Sequence, residues 1–373
     1  MARVNRREVL ADEEIQVVHC VNRCVRRAFL CGVDPLTGMS YEHRRQWIRK
    51  RIEFLAGLFA IDVMGFSVMY NHLHLVLRNR PDIVPEWSDD EVAKRWWELF
   101  PSRRNTDKSA AEPTAVELNA IKADASKLKE LRLRLSSISW FMRCTSEVVA
   151  RMANSEEECT GRFWEGRFKA TVLTDEAAIA ACMTYVDLNP IRAGIADSTE
   201  TSEFTSIKER INDLQQAEQN LSLDAKPTTA STARKARKPI TPKLTAAARK
   251  RYDDRVEHGP QAGWVAPLEL EPKRKSARQK HTGRRASNRG CLQMSLADYL
   301  MLVEWTGRQT VLGKRGRIPK RIPHVLERLD LSEELWLHTV QKFGKQRKVS
   351  SVTPATGTAT SAPSPRRHSG TRR

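Results

Sequence analysis

The N-terminal part of the chain carries alternating strand and helix patterns. Residues 15–21, IQVVHCV, are apolar and β-branched, which predicts a first strand. Apolar positions then recur at helical spacing over residues 41–60, with basic residues on the opposite side, so an amphipathic helix is predicted there. Two β-rich runs, 62–68 and 72–78, follow with only residues 69–71 between them, as in an antiparallel hairpin. The predicted order is therefore β-α-β-β.

The next segment interrupts this pattern. Residues 81–129 contain four prolines, a charged run and a polar run, and we interpret about 81–129 as an insertion. Helical spacing of apolar residues returns over residues 138–152 and ends near residue 154 in a polar loop. This pattern predicts a second long helix.

A further helix is predicted near the middle of the chain. Thr174 is the expected N-cap, and Asp175 and Glu176 suit the first turn because acidic groups are stabilised at a helix N-terminus. The helix is expected to end at about Leu188, since Pro190 lacks the amide hydrogen that a helix interior needs.

The composition changes after about residue 211, so the main domain is predicted to span residues 1–211. Residues 212–290 are rich in Ala, Thr, Lys, Arg and Pro, which predicts a flexible, disordered basic linker. Apolar residues at helical spacing return within 291–345 and predict a small α-helical C-terminal module. Residues 346–373 are mostly Ser, Thr, Pro and Arg and are predicted to be a disordered tail.

The charge balance indicates a polyanionic partner. The chain holds 64 Lys and Arg against 45 Asp and Glu, a formal net charge of +19. Nucleic acid is the first candidate for such a partner. The alternative is that the basic charge lies on tails that only aid solubility.

Cellular location and thiol chemistry can also be predicted. The first residues have no apolar signal region and no apolar run is long enough to span a bilayer, so a cytoplasmic, nucleoid-associated protein without membrane contact is expected. The 7 cysteines are scattered without a C-x-x-C pair, and reduced thiols are expected. Cys20, Cys24 and Cys31 with His19 fit no common zinc-finger spacing, so we interpret them as ordinary strand and turn residues.

Two histidines stand two positions apart on one predicted strand. In the run NHLHLVLR this spacing places His72 and His74 on the same strand face, with Cα atoms roughly 6.5 to 7 Å apart. Leu73, Leu75 and Leu77 then occupy the opposite, apolar face. Two imidazoles in this arrangement can bind one metal ion. The alternative is a pair of histidines on a solvated strand face.

A tyrosine and an asparagine lie one turn apart on the predicted helix before Pro190. Tyr185 and Asn189 share one side of this helix, so a phenol and a carboxamide can point to the same place. The apolar stripe beside them is formed by Ile179, Cys182, Met183 and Val186. The alternatives are a tyrosine packed at the edge of the core and an asparagine that ends the helix.

Basic and aromatic residues flank these elements. Arginines follow the first strand, and a mixed basic and aromatic segment precedes the tyrosine helix. Basic groups bind phosphates, and a tryptophan can stack on a base. The predicted nucleic-acid contacts are Arg23, Arg26, Arg27, Arg162, Trp164, Arg167, Lys169 and Arg192. The alternatives are a core position for Trp164 and a helix-capping role for Arg192.

The chain contains three motifs in this order: HLHL after a Met-x-Asn turn, GRFWEGRFK, and YVDLNPIRAG. Together they resemble the motifs of the single-tyrosine HUH transposases, specifically the REP-associated tyrosine transposase branch. The resemblance covers roughly residues 15–205 apart from the insertion. It implies an α+β fold, a ferredoxin-like antiparallel sheet with helices that forms an HUH endonuclease domain. It also implies Tyr185 as the nucleophile, and His72, His74 and Asn189 as ligands of Mg²⁺ or Mn²⁺.

The activity implied by this resemblance is that of a transposase or nickase. Such an enzyme cleaves and rejoins single-stranded or hairpin DNA through a 5′-phosphotyrosine intermediate, and the resemblance is compatible with a homodimer. The insertion and everything after about residue 211 depart from the family pattern. The alternative function is a noncatalytic DNA-binding protein derived from a transposase.

Overall fold

The computed structural model describes residues 10–11, 13–25, 30–34, 37–224, 263–269 and 284–328. The predicted tail, residues 225–262 and 270–283 of the predicted linker, and two of the predicted nucleic-acid contacts, Arg26 and Arg27, lie outside these residues. In the described part of the chain, no helix is both long enough and apolar enough to cross a membrane.

A four-stranded antiparallel sheet organises the mixed α+β fold. Its strands are β1 (Val17–Arg23), β2 (Ile61–Val68), β3 (His72–Asn79) and β4 (Lys169–Leu173). Helix α1 (His43–Leu58) connects β1 to β2, so the predicted β-α-β-β order is confirmed. The strand order in the sheet is β2-β3-β1-β4, which puts β1 and β3 in the middle.

One face of the sheet forms the main hydrophobic core, and we call it the core face. Leu73, Leu75 and Leu77 of β3 are buried there with apolar residues of α1 and α5 (Ile138–Glu156), including Ile52 and Phe141. Burying each such side chain stabilises the fold by about 1.5–3 kcal/mol. This burial agrees with the predicted alternation along β3. We call the opposite face, which carries His72 and His74, the site face.

The stretch interpreted as an insertion is helical in three parts: α2 (Asp89–Leu99), α3 (Ala115–Lys122) and α4 (Ala125–Ser136). A polar side chain caps the N-terminus of each helix by accepting a hydrogen bond from its first turn. Thr114, for example, forms a reciprocal capping box with Glu117 at the start of α3. Local capping therefore gives this proline-interrupted stretch regular structure.

Helix α6 (Glu176–Arg192) carries Tyr185 and Asn189, and both of its predicted ends need correction. The N-cap is Asp175 rather than Thr174, because the Asp175 carboxylate accepts a hydrogen bond from the amide of Ala178 at 2.8 Å. At the other end the helix continues through Pro190. A proline in the last turn removes only one backbone donor, and most of the helix is unaffected.

Part of the predicted linker is ordered. Helix α7 (Ser206–Asp224) extends beyond residue 212, and the short apolar segment 263–268 packs on the sheet. Trp264 is buried against Phe66, with ring centroids 5.1 Å apart, and the Ala266 amide donates to the Val63 carbonyl at 2.8 Å. The segment packs because its apolar side chains gain free energy from burial.

The structure describes two short helices in the part of the predicted C-terminal module that ends at residue 328. They are α8 (Leu296–Arg308) and α9 (Val325–Arg328). Helix α8 packs against α6, and Gly307 faces Leu188 so closely that an added Cβ would lie 3.0 Å from the leucine side chain. The domain boundaries stay predictions, but these contacts make α8 a direct support of α6.

A buried carboxylate connects α6 to α7 and α8. Asp187 is fully buried and accepts hydrogen bonds from Ser206 Oγ at 2.5 Å, the Ile207 amide at 2.9 Å and Tyr299 Oη at 2.6 Å. Burial raises the pKa of Asp187, while the Arg210 charge and these donors oppose the rise. Because three elements share one carboxylate, their relative positions are coupled.

We expect Tyr299→Phe to lower the free energy of unfolding by about 1–3 kcal/mol, since it leaves a buried carboxylate oxygen without its donor. Urea denaturation measures this change. Tyr70→Phe is the matched control, because it also removes a phenolic oxygen, but from a side chain that is 40% exposed. Equal stability of Tyr299→Phe and wild type would contradict the role of the Asp187 hydrogen bonds.

Candidate active site

Strand pairing brings the predicted histidines to one place. In the β1–β3 register Arg23 lies opposite His72 and Val21 lies opposite His74, so these side chains share the site face. The ring centroids of His72 and His74 are 4.7 Å apart, and the rings are nearly perpendicular. The two imidazoles are therefore adjacent, as the two-residue spacing predicts.

Helix α6 covers the site face and brings Tyr185 to the histidines. The Tyr185 ring lies 5.7 Å from the His74 ring and 6.3 Å from the His19 ring, edge-on to both. Tyr185 is 44% exposed, although most of the helix around it is buried. The side chain thus has one edge against the imidazoles and remains accessible to a large substrate.

Two buried polar atoms of the predicted metal ligands have no hydrogen-bond partner in the described part of the chain: Nε2 of His74 and Nδ2 of Asn189. An unpaired buried polar atom costs about 1–3 kcal/mol, so native structures rarely keep one without a reason. Binding of a cation would supply that reason. The carboxamide oxygen of Asn189 would be its ligand, and a half-turn of the amide exchanges this oxygen with Nδ2.

Both histidines are neutral near neutral pH. Burial lowers the pKa of His72 to about 4, helped by the charges of Arg23 and Lys314. Burial also lowers the pKa of His74 to about 2, and its neighbours His72 and His19 add to this effect, as do the same two cations. Neutral imidazole is the form that binds a metal ion.

The donor set fits a divalent cation held by two imidazoles and an amide. Among the described residues there is no group of three or more His, Cys, Asp or Glu side chains that could hold a metal. Asn189, the third ligand that the resemblance implies, offers a carboxamide oxygen. Imidazole and amide oxygen together suit Mn²⁺, and oxygen-preferring Mg²⁺ less well.

Four of the predicted basic contacts with nucleic acid are exposed. Arg23 is exposed on the site face, and Lys169 on β4 pairs with Val21 and so shares this face. Arg162 and Arg167 are exposed in the segment before β4. These residues are accessible to a phosphate backbone.

Trp164 and Arg192 have structural roles instead. Trp164 is buried, and its indole Nε1 donates to the Ser146 carbonyl at 2.8 Å, so its ring is not available to stack on a base. Arg192 is also buried, and it donates to the Thr306 and Gln309 carbonyls at 2.6 and 2.7 Å. It thus caps the C-terminal end of α8, where a positive charge is stabilised. These partners favour the alternative roles, a core position for Trp164 and a helix-capping role for Arg192.

Two residues of the site were not predicted from the sequence. His19 lies beside His74, and the signal that could have revealed it is its two-residue spacing from Val21 and Arg23 on β1. Lys314 is near enough for its charge to lower the pKa of both His72 and His74. No local pattern identifies Lys314, because a loop far along the chain brings it there.

Comparison with known proteins adds little to this geometry. No family model and no curated protein matches the chain. One solved structure, described as the REP-associated tyrosine transposase bound to a REP hairpin, is similar at 11% identity, over 61% of this chain and 93% of that chain. Its TM-score is 0.30, which is too low to support an inference.

Acid should destabilise the metal-free protein through His74. In the unfolded chain the His74 imidazole binds a proton with its ordinary pKa of about 6.5, whereas in the folded protein the pKa of His74 is far lower. Stability is therefore lost as the pH falls below about 6.5, at up to about 1.4 kcal/mol per pH unit for this group. We expect His74→Ala, measured by urea denaturation in EDTA, to lose less stability than wild type between pH 7 and pH 5.

The same slope in His74→Ala and wild type would show that the His74 imidazole is not shielded from protons.

Proposed function

We propose that this protein is a metal-dependent DNA strand transferase or nickase, a tyrosine transposase of the HUH type. The observation that carries the proposal is the edge contact between Tyr185 and His74, beside His72 and one helical turn from Asn189. An exposed phenol next to neutral imidazoles is an arrangement suited to nucleophilic attack on a phosphodiester.

The topology supports the same proposal. The strand order β2-β3-β1-β4, with a helix crossover between β1 and β2 and another between β3 and β4, is that of a ferredoxin-like sheet. The two histidines lie on a central strand, and the tyrosine lies on the helix after the last strand. This arrangement agrees with the HUH endonuclease fold that the motifs imply.

Tyr185 would act as the nucleophile on single-stranded or hairpin DNA. As its Oη forms a bond to phosphorus, the phenol loses its proton and the bond from phosphorus to the 3′-oxygen breaks. The leaving oxygen takes up a proton and becomes a free 3′-hydroxyl, while the 5′-phosphate stays on the tyrosine. Attack by a 3′-hydroxyl reverses these steps, so strands can be rejoined without an external energy source.

His72, His74 and Asn189 would hold the divalent ion, either Mg²⁺ or Mn²⁺. When bound, the ion polarises the scissile phosphate and offsets its growing negative charge. The protein contributes neutral imidazoles from a rigid central strand and keeps Asn189 in place through the packing of α6. Burial of His74 limits its access to water and protons.

DNA contacts would come from the exposed cations around the site. Arg23 and Lys169 lie on the site face, and Arg162 and Arg167 lie in the segment before β4. Lys314 is a further candidate because its charge acts on both histidines. Such residues neutralise phosphates and release counterions, so binding should weaken as salt rises.

The test of this function is Tyr185→Phe. We expect this variant to lose strand cleavage and the covalent protein–DNA adduct together, while its affinity for DNA changes little, since only the nucleophilic oxygen is removed. A labelled single strand with Mn²⁺ provides both readouts on one denaturing gel. Tyr70→Phe is the control and should cleave as wild type does.

Two outcomes would reject the assignment. Cleavage by Tyr185→Phe, with the adduct mapped to Tyr41, Tyr70, Tyr252 or Tyr299, would move the nucleophile elsewhere. A wild-type protein that binds DNA but never forms an adduct would favour the noncatalytic DNA-binding alternative.

A further inference from the structure

A third histidine on the site face contacts the predicted metal ligand His74. His19 lies on β1 opposite Val76 and is diagonal to His74 across the β1–β3 pair. Its Nε2 lies 2.9 Å from Nδ1 of His74, and the two rings are nearly parallel and meet edge to edge, with centroids 5.1 Å apart and planes 11° from parallel. The contact is therefore a hydrogen bond between two imidazole rings on adjacent strands.

The geometry limits which nitrogen of His74 carries the hydrogen. If His19 were the donor, Nδ1 of His74 would accept and Nε2 would carry the hydrogen, because a neutral imidazole has one N–H. That N–H would be buried without an acceptor in the described part of the chain. If His74 Nδ1 is the donor, Nε2 keeps a lone pair and no buried N–H is left unpaired. Only the second arrangement leaves a lone pair at Nε2, which a metal ion can bind.

Other side chains near His74 do not replace this hydrogen bond. Ser67 lies opposite His74 on β2, but its hydroxyl is directed to Met69 Sδ at 3.4 Å. Tyr185 meets the His74 ring edge-on. Among the described residues, the hydrogen-bond partner of His74 is His19.

We propose that His19 is a positioning residue, which accepts the hydrogen of His74 Nδ1 and so keeps the Nε2 lone pair free for the metal ion. The inference rests on the metal role in the proposed function. His19 itself is not assigned as a ligand, because its Nε2 is used by His74. A hydrogen-bonded partner of this kind fixes the orientation and the tautomer of a metal-binding histidine.

The first experiment measures the tautomer of His74 in the metal-free, full-length chain labelled with ¹⁵N-histidine. Long-range ¹H–¹⁵N correlation spectra distinguish a hydrogen on Nδ1 from one on Nε2. We expect Nδ1–H in the wild type and a shift toward Nε2–H in His19→Phe, which keeps a flat ring but has no acceptor. Nε2–H in the wild type, or the same tautomer in both proteins, would overturn the proposal.

The second experiment measures the affinity for Mn²⁺ by following free Mn²⁺ with electron paramagnetic resonance, without DNA. His19→Phe should weaken binding about 10- to 100-fold. His19→Gln should recover most of the loss, since its amide oxygen can reach the place of the imidazole Nε2. Equal losses in both variants, or no loss in a folded His19→Phe, would overturn the proposal.

Thr171→Val is the matched control. Thr171 lies opposite His19 on β4 and on the same sheet face, so this change tests whether any substitution beside His19 disturbs the site. Its Mn²⁺ affinity should equal that of wild type, and a 10-fold loss there would overturn the specific role of His19. If the wild type binds no Mn²⁺, the proposed metal chemistry fails, while the tautomer measurement still decides the role of His19.

Discussion

Antiparallel pairing between β1 and β3 is the contact on which the candidate site depends. It sets Arg23 opposite His72 and brings His19 diagonal to His74, so groups from two separate parts of the chain meet on one face. Side chains alternate along a strand, and a register shift of one residue would turn the imidazoles into the core and Leu75 into the site. The free energy gained by burying the leucines of β3 therefore also fixes the positions of the histidines.

The helix over this face is held from two sides. Tyr185 lies against the imidazoles of the sheet, Asp187 accepts hydrogen bonds from α7 and α8, and Arg192 donates to carbonyls at the C-terminal end of α8. These connections fix the rotation of α6 about its axis, so Tyr185 stays at the edge of the imidazole pair. The order of the site thus depends on residues that take no part in its chemistry, above all on Tyr299.

Patterns that act within a few residues could be predicted from the sequence. The alternation along β3 and the one-turn spacing of Tyr185 and Asn189 reflect strand and helix periodicity, which depends little on distant residues. Partners that come from far along the chain could not be predicted. The carbonyl groups that bind Arg192 lie more than 110 residues later, and the burial of Trp164 depends on packing against α5. Both side chains look like nucleic-acid contacts until their surroundings are known.

The hydrogen bond between Asp187 and Tyr299 sets an order of events during protein synthesis. Tyr299 follows Asp187 by 112 residues, so a ribosome adding about 5–20 residues per second needs on the order of 5–20 s to supply it. Throughout that interval the nascent chain already contains all three histidines and Tyr185, but α6 lacks its outer support. A polypeptide that ends before Tyr299, for example at a premature stop codon, would therefore carry the three histidines, Tyr185 and Asn189 without the packing that holds the tyrosine in place.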